Sequence, residues 1–187
     1  MDYYSLTICG LERKLPMSFV GKETKLASFS MLGDVELVDK LSDKFAEELK
    51  DMDFDYLVAT EMKIISLVHG IAKRLNHTKF VVCRKTVRPY MIRPIILKPL
   101  PHFPKHVKQV VINGTDAELL QGKKVVVIDD VLSTGVTMRM IHILMDQVGA
   151  IVVKKMVILK QGEQFDKIEN LFFLENLPIF KTTIQTY

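Results

Sequence analysis

The sequence has no tryptophan, only two cysteines and no apolar run close to the length that crosses a bilayer. A membrane-spanning helix needs about 20 mostly apolar residues, so we expect no membrane partner. Cys9 and Cys83 stand alone, without the spacing of metal ligands or of a disulfide framework. In the first fourteen residues the basic side chains follow the apolar ones, the reverse of a secretory signal. These absences favour a reducing, cytoplasmic location.

The chain also has only a small net charge. The chain has 26 Lys and Arg residues against 22 Asp and Glu residues, which gives a net charge of +4. No zinc finger, basic zipper or RNA-binding segment accompanies this excess, so a nucleic-acid partner is not expected. A small anionic substrate is compatible with it. With 187 residues, 48% of them hydrophobic, the chain is expected to form a single domain over residues 1–187.

Apolar runs alternate with segments of helical spacing along most of the chain. Runs at residues 56–59, 80–83, 107–112, 124–130, 151–159 and 171–174 are typical of buried strands. Helical spacing follows Asp34, resumes after residue 63, and returns between Thr137 and Val148 before Gly149. This alternation predicts an α/β fold with a mostly parallel sheet flanked by helices.

Two segments do not follow the alternation. Residues 1–33 are expected to form a small hood. Residues 84–108 contain five of the chain's seven prolines, too many for a helix or an inner strand, and are expected to form a flexible loop or excursion. The Asn113-Gly114 pair after this segment predicts a turn.

In the stretch VVVIDDVLSTGVT, a predicted buried strand is followed by two acids and then by a turn of small polar residues. Ligands of parallel sheets bind beyond the carboxyl ends of the strands, where Asp129 and Asp130 stand. Residues 133–137 offer hydroxyls, a glycine and backbone N–H groups at the start of a helix, an arrangement that suits a phosphate. Carboxylates that accept hydrogen bonds from sugar hydroxyls, next to a turn that binds phosphate, would suit a ribose 5-phosphate as the ligand.

Other interpretations of this stretch remain open from the residues alone. It could be the magnesium-binding strand of a P-loop enzyme, although GxxxxGK[ST] is absent. It could carry a phosphoacceptor aspartate, which would not require the turn that follows. It could also be a strand, acidic loop and helix cap without a ligand, but adjacent acids at a buried strand end favour a site.

The same stretch resembles the PRPP-binding signature of type I phosphoribosyltransferases, where PRPP is the phosphoribosyl pyrophosphate donor. The segments LGDVELVDKLSDKFAEEL, VATEMKIISLVHGIAKRLN, VVCRKTVRPYM, LQGKKVVVIDDVLSTGVTM and ENLPIF are similar, in this order, to the adenine phosphoribosyltransferase-like branch. The resemblance covers most of residues 26–180. It implies an enzyme that joins a nitrogenous base to PRPP and releases a nucleoside monophosphate and pyrophosphate.

The resemblance also implies roles for particular residues. Asp129 and Asp130 would bind the ribose hydroxyls and are the residues that could contact magnesium, which is otherwise held by substrate oxygens and water. The 5-phosphate would be held by Ser133, Thr134, Gly135, Val136 and Thr137. The pyrophosphate would be held by Glu61, Met62, Lys63, Arg84 and Lys85. Asp129, Asp130, Lys63 and Arg84 are the catalytic candidates. On position alone, Lys63, Arg84 and Lys85 could be ordinary surface charge.

Base recognition is where the chain departs from its resemblance. Adenine enzymes often have Glu-Ala-Arg where this chain has Glu61-Met62-Lys63, and they carry a loop acid that residues 90–93 lack. Hypoxanthine-guanine enzymes have an acid at the position of Ser133. Lys160 stands where 6-oxopurine enzymes use a lysine, and it could equally be a solvated strand end. Ser28 and Phe29 are the remaining base-binding candidates, and Phe29 could instead belong to the core of the hood.

The sequence therefore predicts a purine phosphoribosyltransferase with magnesium as cofactor and adenine as the first base, which would give AMP. Xanthine or another 6-oxopurine is the alternative base, and a pyrimidine is a further one. A PRPP-sensing regulator without catalysis is the alternative from another class of protein. Family members pair through faces near the active site, so a homodimer is expected.

Overall fold

The computed structural model describes residues 2–21, 23–105 and 107–181. Met1 and Lys22 of the expected hood, and His106 of the expected excursion, lie outside the described residues. The strands are β1 (Tyr3–Ile8), β2 (Leu11–Val20), β3 (Thr24–Ala27), β4 (Tyr56–Thr60), β5 (Val81–Cys83), β6 (Ile95–Leu97), β7 (Val110–Ile112), β8 (Lys124–Leu132), β9 (Ile151–Lys160), β10 (Leu171–Asn176) and β11 (Ile179–Lys181). The helices are α1 (Val35–Leu49), α2 (Ile65–Arg74), α3 (Gly114–Leu120) and α4 (Val136–Gln147), with a 3₁₀ turn at Glu163–Phe165.

A parallel sheet with the strand order β10-β9-β8-β4-β5 forms the centre of the molecule. Alternate residues of β8 face opposite ways: Val126 and Ile128 join the buried cluster of α1 and α2, and Val125 and Val127 join that of α3 and α4. Both faces of the sheet are therefore covered, which is why its strands read as continuous apolar runs. The α/β fold class predicted from the sequence is confirmed.

A smaller antiparallel sheet, with the order β1-β2-β3-β11, lies over one face of the molecule. Its buried residues Ile8 and Leu15 belong to the same cluster as Phe45 of α1. Arg13 of β2 donates from Nε to Asp34 Oδ2 at 2.6 Å, and Asp34 also caps α1. The hood is thus packed onto the helical layer, and the chain's end contributes a strand to it that the sequence did not predict.

The proline-rich excursion returns to the body of the protein through a two-stranded ribbon of β6 and β7. Strand character at residues 107–112 is limited to Val110–Ile112. The turn predicted at Asn113-Gly114 is wrong, because Gly114 begins α3. A Cβ at Gly114 would lie 2.4 Å from the carbonyl oxygen of Arg93, so glycine is needed there for close backbone packing rather than for a turn.

Among the residues that the structure describes, no helix combines the length and apolar character needed to cross a membrane.

Candidate functional site

Three neighbouring strand ends bring the candidate site together. β4 lies between β8 and β5, and all three run in the same direction. Their carboxyl ends therefore share one edge of the sheet. Asp129 and Asp130 lie near the end of β8, residues 61–63 follow β4, and residues 84–85 follow β5. Segments more than 20 residues apart in sequence become neighbours for this reason.

Asp129 is held between its neighbours at the end of β8. Thr60 Oγ1 on β4 donates to Asp129 Oδ1 at 2.6 Å, and the backbone N–H of Asp130 donates to the same oxygen at 3.0 Å. Burial, together with the charge of Asp130, raises the pKa of Asp129 from 3.8 to about 6, although the bond from Thr60 opposes this rise. The strand end therefore holds a carboxylate that is unusually easy to protonate.

Asp130 faces the loop after β4. Its Oδ2 lies 3.5 Å from Nζ of Lys63, whose side chain is half exposed. Its Oδ1 accepts a hydrogen bond from the backbone N–H of Val131 at 2.9 Å. The acid pair thus divides its contacts: Asp129 bonds to a neighbouring strand, and Asp130 lies beside a cation that a ligand could reach.

Glu61 organises the cations after β5. Its Oε2 lies 2.9 Å from Nη2 of Arg84, and its Oε1 accepts from the backbone N–H of Lys85 at 2.9 Å. Arg84 also donates from Nη1 to the hydroxyl of Tyr90 at 3.1 Å. The peptide bond between Glu61 and Met62 is cis. The Glu61 carboxylate thus binds Arg84 and the adjoining backbone, while the Lys63 and Lys85 side chains extend toward solvent.

The turn between β8 and α4 has the shape expected of a phosphate cradle. Gly135 has a φ of 73° directly before the first residue of the helix. A Cβ at this position would also lie 2.9 Å from the ring of Phe165, so conformation and space both favour glycine. Thr134 and Thr137 are exposed, and the N–H groups of the first helical turn, which have no acceptor within the helix, can bind an anion placed there. The N–H of Val136 meanwhile donates to Thr134 Oγ1 at 3.4 Å.

Ser133 differs from its neighbours in the turn. Its hydroxyl donates to Oε1 of Gln161 at 2.5 Å, and Gln161 is buried at the end of β9. The Ser133 side chain therefore faces β9, and it could reach a phosphate only after breaking this bond.

The three base-binding candidates lie in different surroundings. Phe29 is buried in the cluster formed with α1 and α2, and Ser28 Oγ lies 3.2 Å from Ser18 Oγ on β2. Lys160 is buried, its ammonium pairs with Asp166, and it lies 4.6 Å from the centre of the Phe173 ring. Because Phe173 packs against the cluster of α4, Lys160 and Phe29 are on opposite faces of the sheet.

Sequence reasoning placed Thr60 at the start of the pyrophosphate loop but did not predict its bond to Asp129, and it missed the roles of Tyr90 and Gln161. Thr60 carried a signal, because it is the first polar residue after an apolar strand and so stands at a strand end. Tyr90 and Gln161 carried none, since their contacts with Arg84 and Ser133 depend on how distant segments pack.

The fold and the site together define an α/β protein with an acid pair, a cation cluster and a phosphate-type turn at one edge of a parallel sheet. The family model of the phosphoribosyl transferase domain matches residues 35–184. The chain belongs to this family, which confirms the family and the enzyme class expected from the sequence.

Known relatives are similar over most of the chain. The adenine phosphoribosyltransferase of Thermosipho africanus is 28% identical over 123 residues, which are 66% of this chain and 69% of the relative. The hypoxanthine/guanine phosphoribosyltransferase of Methanosarcina mazei is 26% identical over 139 residues, 74% of this chain and 68% of the relative. The crystal structure of adenine phosphoribosyltransferase from Thermoanaerobacter pseudethanolicus superposes with a TM-score of 0.69 at 21% identity, covering 87% of this chain and 95% of that one. The shared fold is therefore that of the adenine enzymes.

Proposed function

We propose that this protein transfers the phosphoribosyl group of PRPP to adenine, giving AMP and pyrophosphate. The observation that carries the proposal is the joint geometry of β8, where the acid pair Asp129–Asp130 is followed within a few residues by the Gly135 turn. Vicinal hydroxyls and a 5-phosphate are the two groups of one sugar phosphate that such a strand end can bind together. Family membership and the two relatives support a purine as the acceptor.

In the proposed complex, the carboxylates of Asp129 and Asp130 accept hydrogen bonds from the ribose hydroxyls. The 5-phosphate is bound by the side chains of Thr134 and Thr137 and by backbone N–H groups of residues 133–137. The pyrophosphate lies between Lys63 on one side and Arg84 with Lys85 on the other. Glu61 contributes by orienting Arg84, and Met62 contributes its backbone.

The reaction breaks the bond between the anomeric carbon and pyrophosphate as the base attacks. Positive charge develops on the ribose ring and negative charge on the leaving group, as in glycosyl transfer generally. In this proposal Asp129 and Asp130 hold the ribose while Lys63 and Arg84 stabilise the departing pyrophosphate, so the residues act by positioning and charge. No covalent protein intermediate is required.

Magnesium fits this site as a substrate-held ion. The described residues form no group of three His, Cys, Asp or Glu side chains that could hold a metal by themselves. Two carboxylates at one strand end can contact an ion whose other ligands are waters and phosphate oxygens, the usual arrangement for magnesium. When bound, magnesium would neutralise the developing charge of the pyrophosphate.

The surroundings of Lys160 support adenine over a 6-oxopurine. The Lys160 side chain is only 5% exposed and its ammonium pairs with Asp166, so little of its donor surface is open to the oxygen of a 6-oxopurine. A 6-oxopurine (hypoxanthine, guanine or xanthine) is the second candidate for the base. It is favoured by the similarity to the M. mazei relative and by the position of Lys160 at the end of β9.

The test is a panel of bases at fixed PRPP and magnesium, with pyrophosphate release as the readout. We expect turnover with adenine at least tenfold above that with hypoxanthine, guanine or xanthine. The double variant Asp129→Asn/Asp130→Asn should lose turnover, and Glu169→Gln, which changes an exposed acid, should keep it. Turnover of a 6-oxopurine alone would replace adenine by the second candidate. PRPP binding without turnover of any base would replace the enzyme by a PRPP sensor.

We further propose a homodimer in the cytoplasm. Met62, Tyr90 and Ile92 are large apolar side chains left exposed beside the site, on a face that a second copy could cover. Cys9 is exposed and Cys83 is buried, and both are free thiols, as is usual in a reducing compartment. A monomer mass by light scattering at assay concentration would contradict the dimer.

A further inference from the structure

A second cavity lies behind the phosphate turn, between α4 and the segment that follows β9. Its volume is about 370 Å³, within the usual range for small-molecule sites. Phe103, Phe165 and Met138 supply much of its apolar wall. The residues at the proposed ribose and pyrophosphate contacts are not among the described residues that line it, so the cavity shares only the phosphate turn with the proposed reaction site.

The two charged side chains that line the cavity, Arg139 and Lys155, are both positive. Arg139, His142 and Lys155 line it, and no acidic residue is among the described residues that do. The guanidinium of Arg139 lies 5.6 Å from the centre of the Phe103 ring, so its charge stands beside an aromatic wall. The only carboxylate paired with these groups in the described chain is that of Asp146, 3.9 Å from His142 Nε2 and exposed.

His142 adds an unmet hydrogen-bonding group to this wall. Its Nδ1 is buried and has no hydrogen-bond partner within the described part of the chain. Buried polar atoms are nearly always paired, so an unpaired one beside a cavity suggests that a ligand or water completes it. Aromatic walls and uncompensated basic groups together match a flat, apolar ligand that carries one negative charge.

The cavity also touches the turn that is proposed to hold the 5-phosphate. Thr134, Gly135 and Val136 form part of its lining. The Phe165 ring closes the contact, since it lies only 2.9 Å from where a Cβ of Gly135 would be. A ligand that holds Phe165 in place would therefore also hold the turn in place, and a turn fixed in advance binds its anion more tightly.

We propose that this cavity is a regulatory site for a planar aromatic carboxylate, and that its occupancy tightens binding of PRPP. The carboxylate lies against Arg139 and Lys155, and the ring lies between Phe103 and Phe165. The binding half of the inference stands without the proposed function, whereas the coupling half rests on it.

The probe for the binding half is 2-naphthoate, titrated calorimetrically into the full chain without PRPP. We expect one site with a Kd below about 1 mM, and at least fivefold weaker binding of the uncharged 2-naphthamide, as a single charge-assisted contact implies. Arg139→Gln should weaken naphthoate about fivefold, and Ile168→Trp, which fills the cavity, should abolish its binding. Lys167→Gln is the matched control, because Lys167 is exposed, directly precedes Ile168 in the sequence and is not among the described residues that line the cavity.

The coupling half is measured as the Kd of PRPP with and without saturating naphthoate. We expect about a threefold tightening, and linkage requires PRPP to tighten naphthoate by the same factor. Equal binding of the acid and the amide, retention of binding in Ile168→Trp, or displacement of naphthoate by PRPP would overturn the proposed site. An unchanged Kd of PRPP would overturn the regulation. Because the first titration contains neither PRPP nor base, an inactive enzyme would not affect its result.

Discussion

Thr60 donates a hydrogen bond of 2.6 Å to the carboxylate of Asp129 across two neighbouring parallel strands. This bond favours the ionised acid, while burial and the charge of Asp130 oppose it and raise the pKa of Asp129 to about 6. If Asp129 binds the ribose as proposed, the charge it offers depends on a residue that makes no proposed substrate contact. Thr60 is a positioning residue in this sense.

Replacing Thr60 by valine should move the pH dependence of the reaction. Without the hydroxyl, the pKa of Asp129 rises further, and the acid limb of kcat/KM for PRPP should move upward by about one pH unit. Thr60→Ser, which keeps a donor, should retain the wild-type profile. Superimposable profiles for valine and wild type would show that this bond does not control the charge of Asp129.

Asp129→Asn should stabilise the fold while removing the proposed ribose contact. A carboxyl whose pKa is about 6 when folded and 3.8 when unfolded binds its proton more tightly in the folded state. Ionisation of Asp129 therefore lowers the free energy of unfolding as the pH rises from about 4 to 6. Above pH 6 this decrease in stability has reached its full size. Asparagine avoids this loss and can still accept the bond from Thr60.

We expect Asp129→Asn to raise the free energy of unfolding by about 1–3 kcal/mol at pH 7.5, by less than half of that at pH 4.5, and not at all near pH 3. Urea denaturation at these pH values measures it. Asp130→Asn should give a smaller gain, because the charge of Asp130 is a lesser cause of the pKa shift than burial. A gain that did not depend on pH would contradict the raised pKa.

Ser133 and Thr137 should respond differently to alanine. Thr137 is exposed in the first turn of α4, and loss of one hydrogen bond to a charged phosphate should raise the KM for PRPP about tenfold. Ser133 bonds to Gln161, so Ser133→Ala should cost about 1 kcal/mol of stability and change the KM less than threefold. The opposite ranking would mean that the Ser133 hydroxyl turns to the phosphate when PRPP binds.

Glu61→Gln should lower activity through Arg84. The amide oxygen can still accept from the backbone N–H of Lys85, but the charge that holds the guanidinium 2.9 Å away is lost. We expect kcat/KM for PRPP to fall about tenfold, as for a misplaced charge-assisted contact. Glu118→Gln is the matched control, because Glu118 also pairs with a single arginine, Arg93, and this pair is exposed. Equal activity of the two variants would remove Glu61 from the site.

Much of the fold could be read from local patterns. Asp34 as a helix cap, the buried runs of β4, β8 and β9, and the end of α4 before Gly149 all depend on spacing or conformation within a few residues. Local sequence patterns gave a wrong prediction where a residue is required by its packing against a distant segment. Gly114 is needed because the backbone of Arg93 approaches it, and this residue begins a short helix rather than a turn.

The order of residues along the chain determined the alternation of strands and helices and placed two acids and a glycine turn at one strand end. These features need only neighbours in sequence, so periodicity and turn chemistry are sufficient to predict them. Tertiary structure alone decided that Ser133 bonds to Gln161, that Lys160 is bound to Asp166, and that β11 completes the hood. Each of these contacts depends on where separate segments come to rest in three dimensions, and no local period encodes that placement.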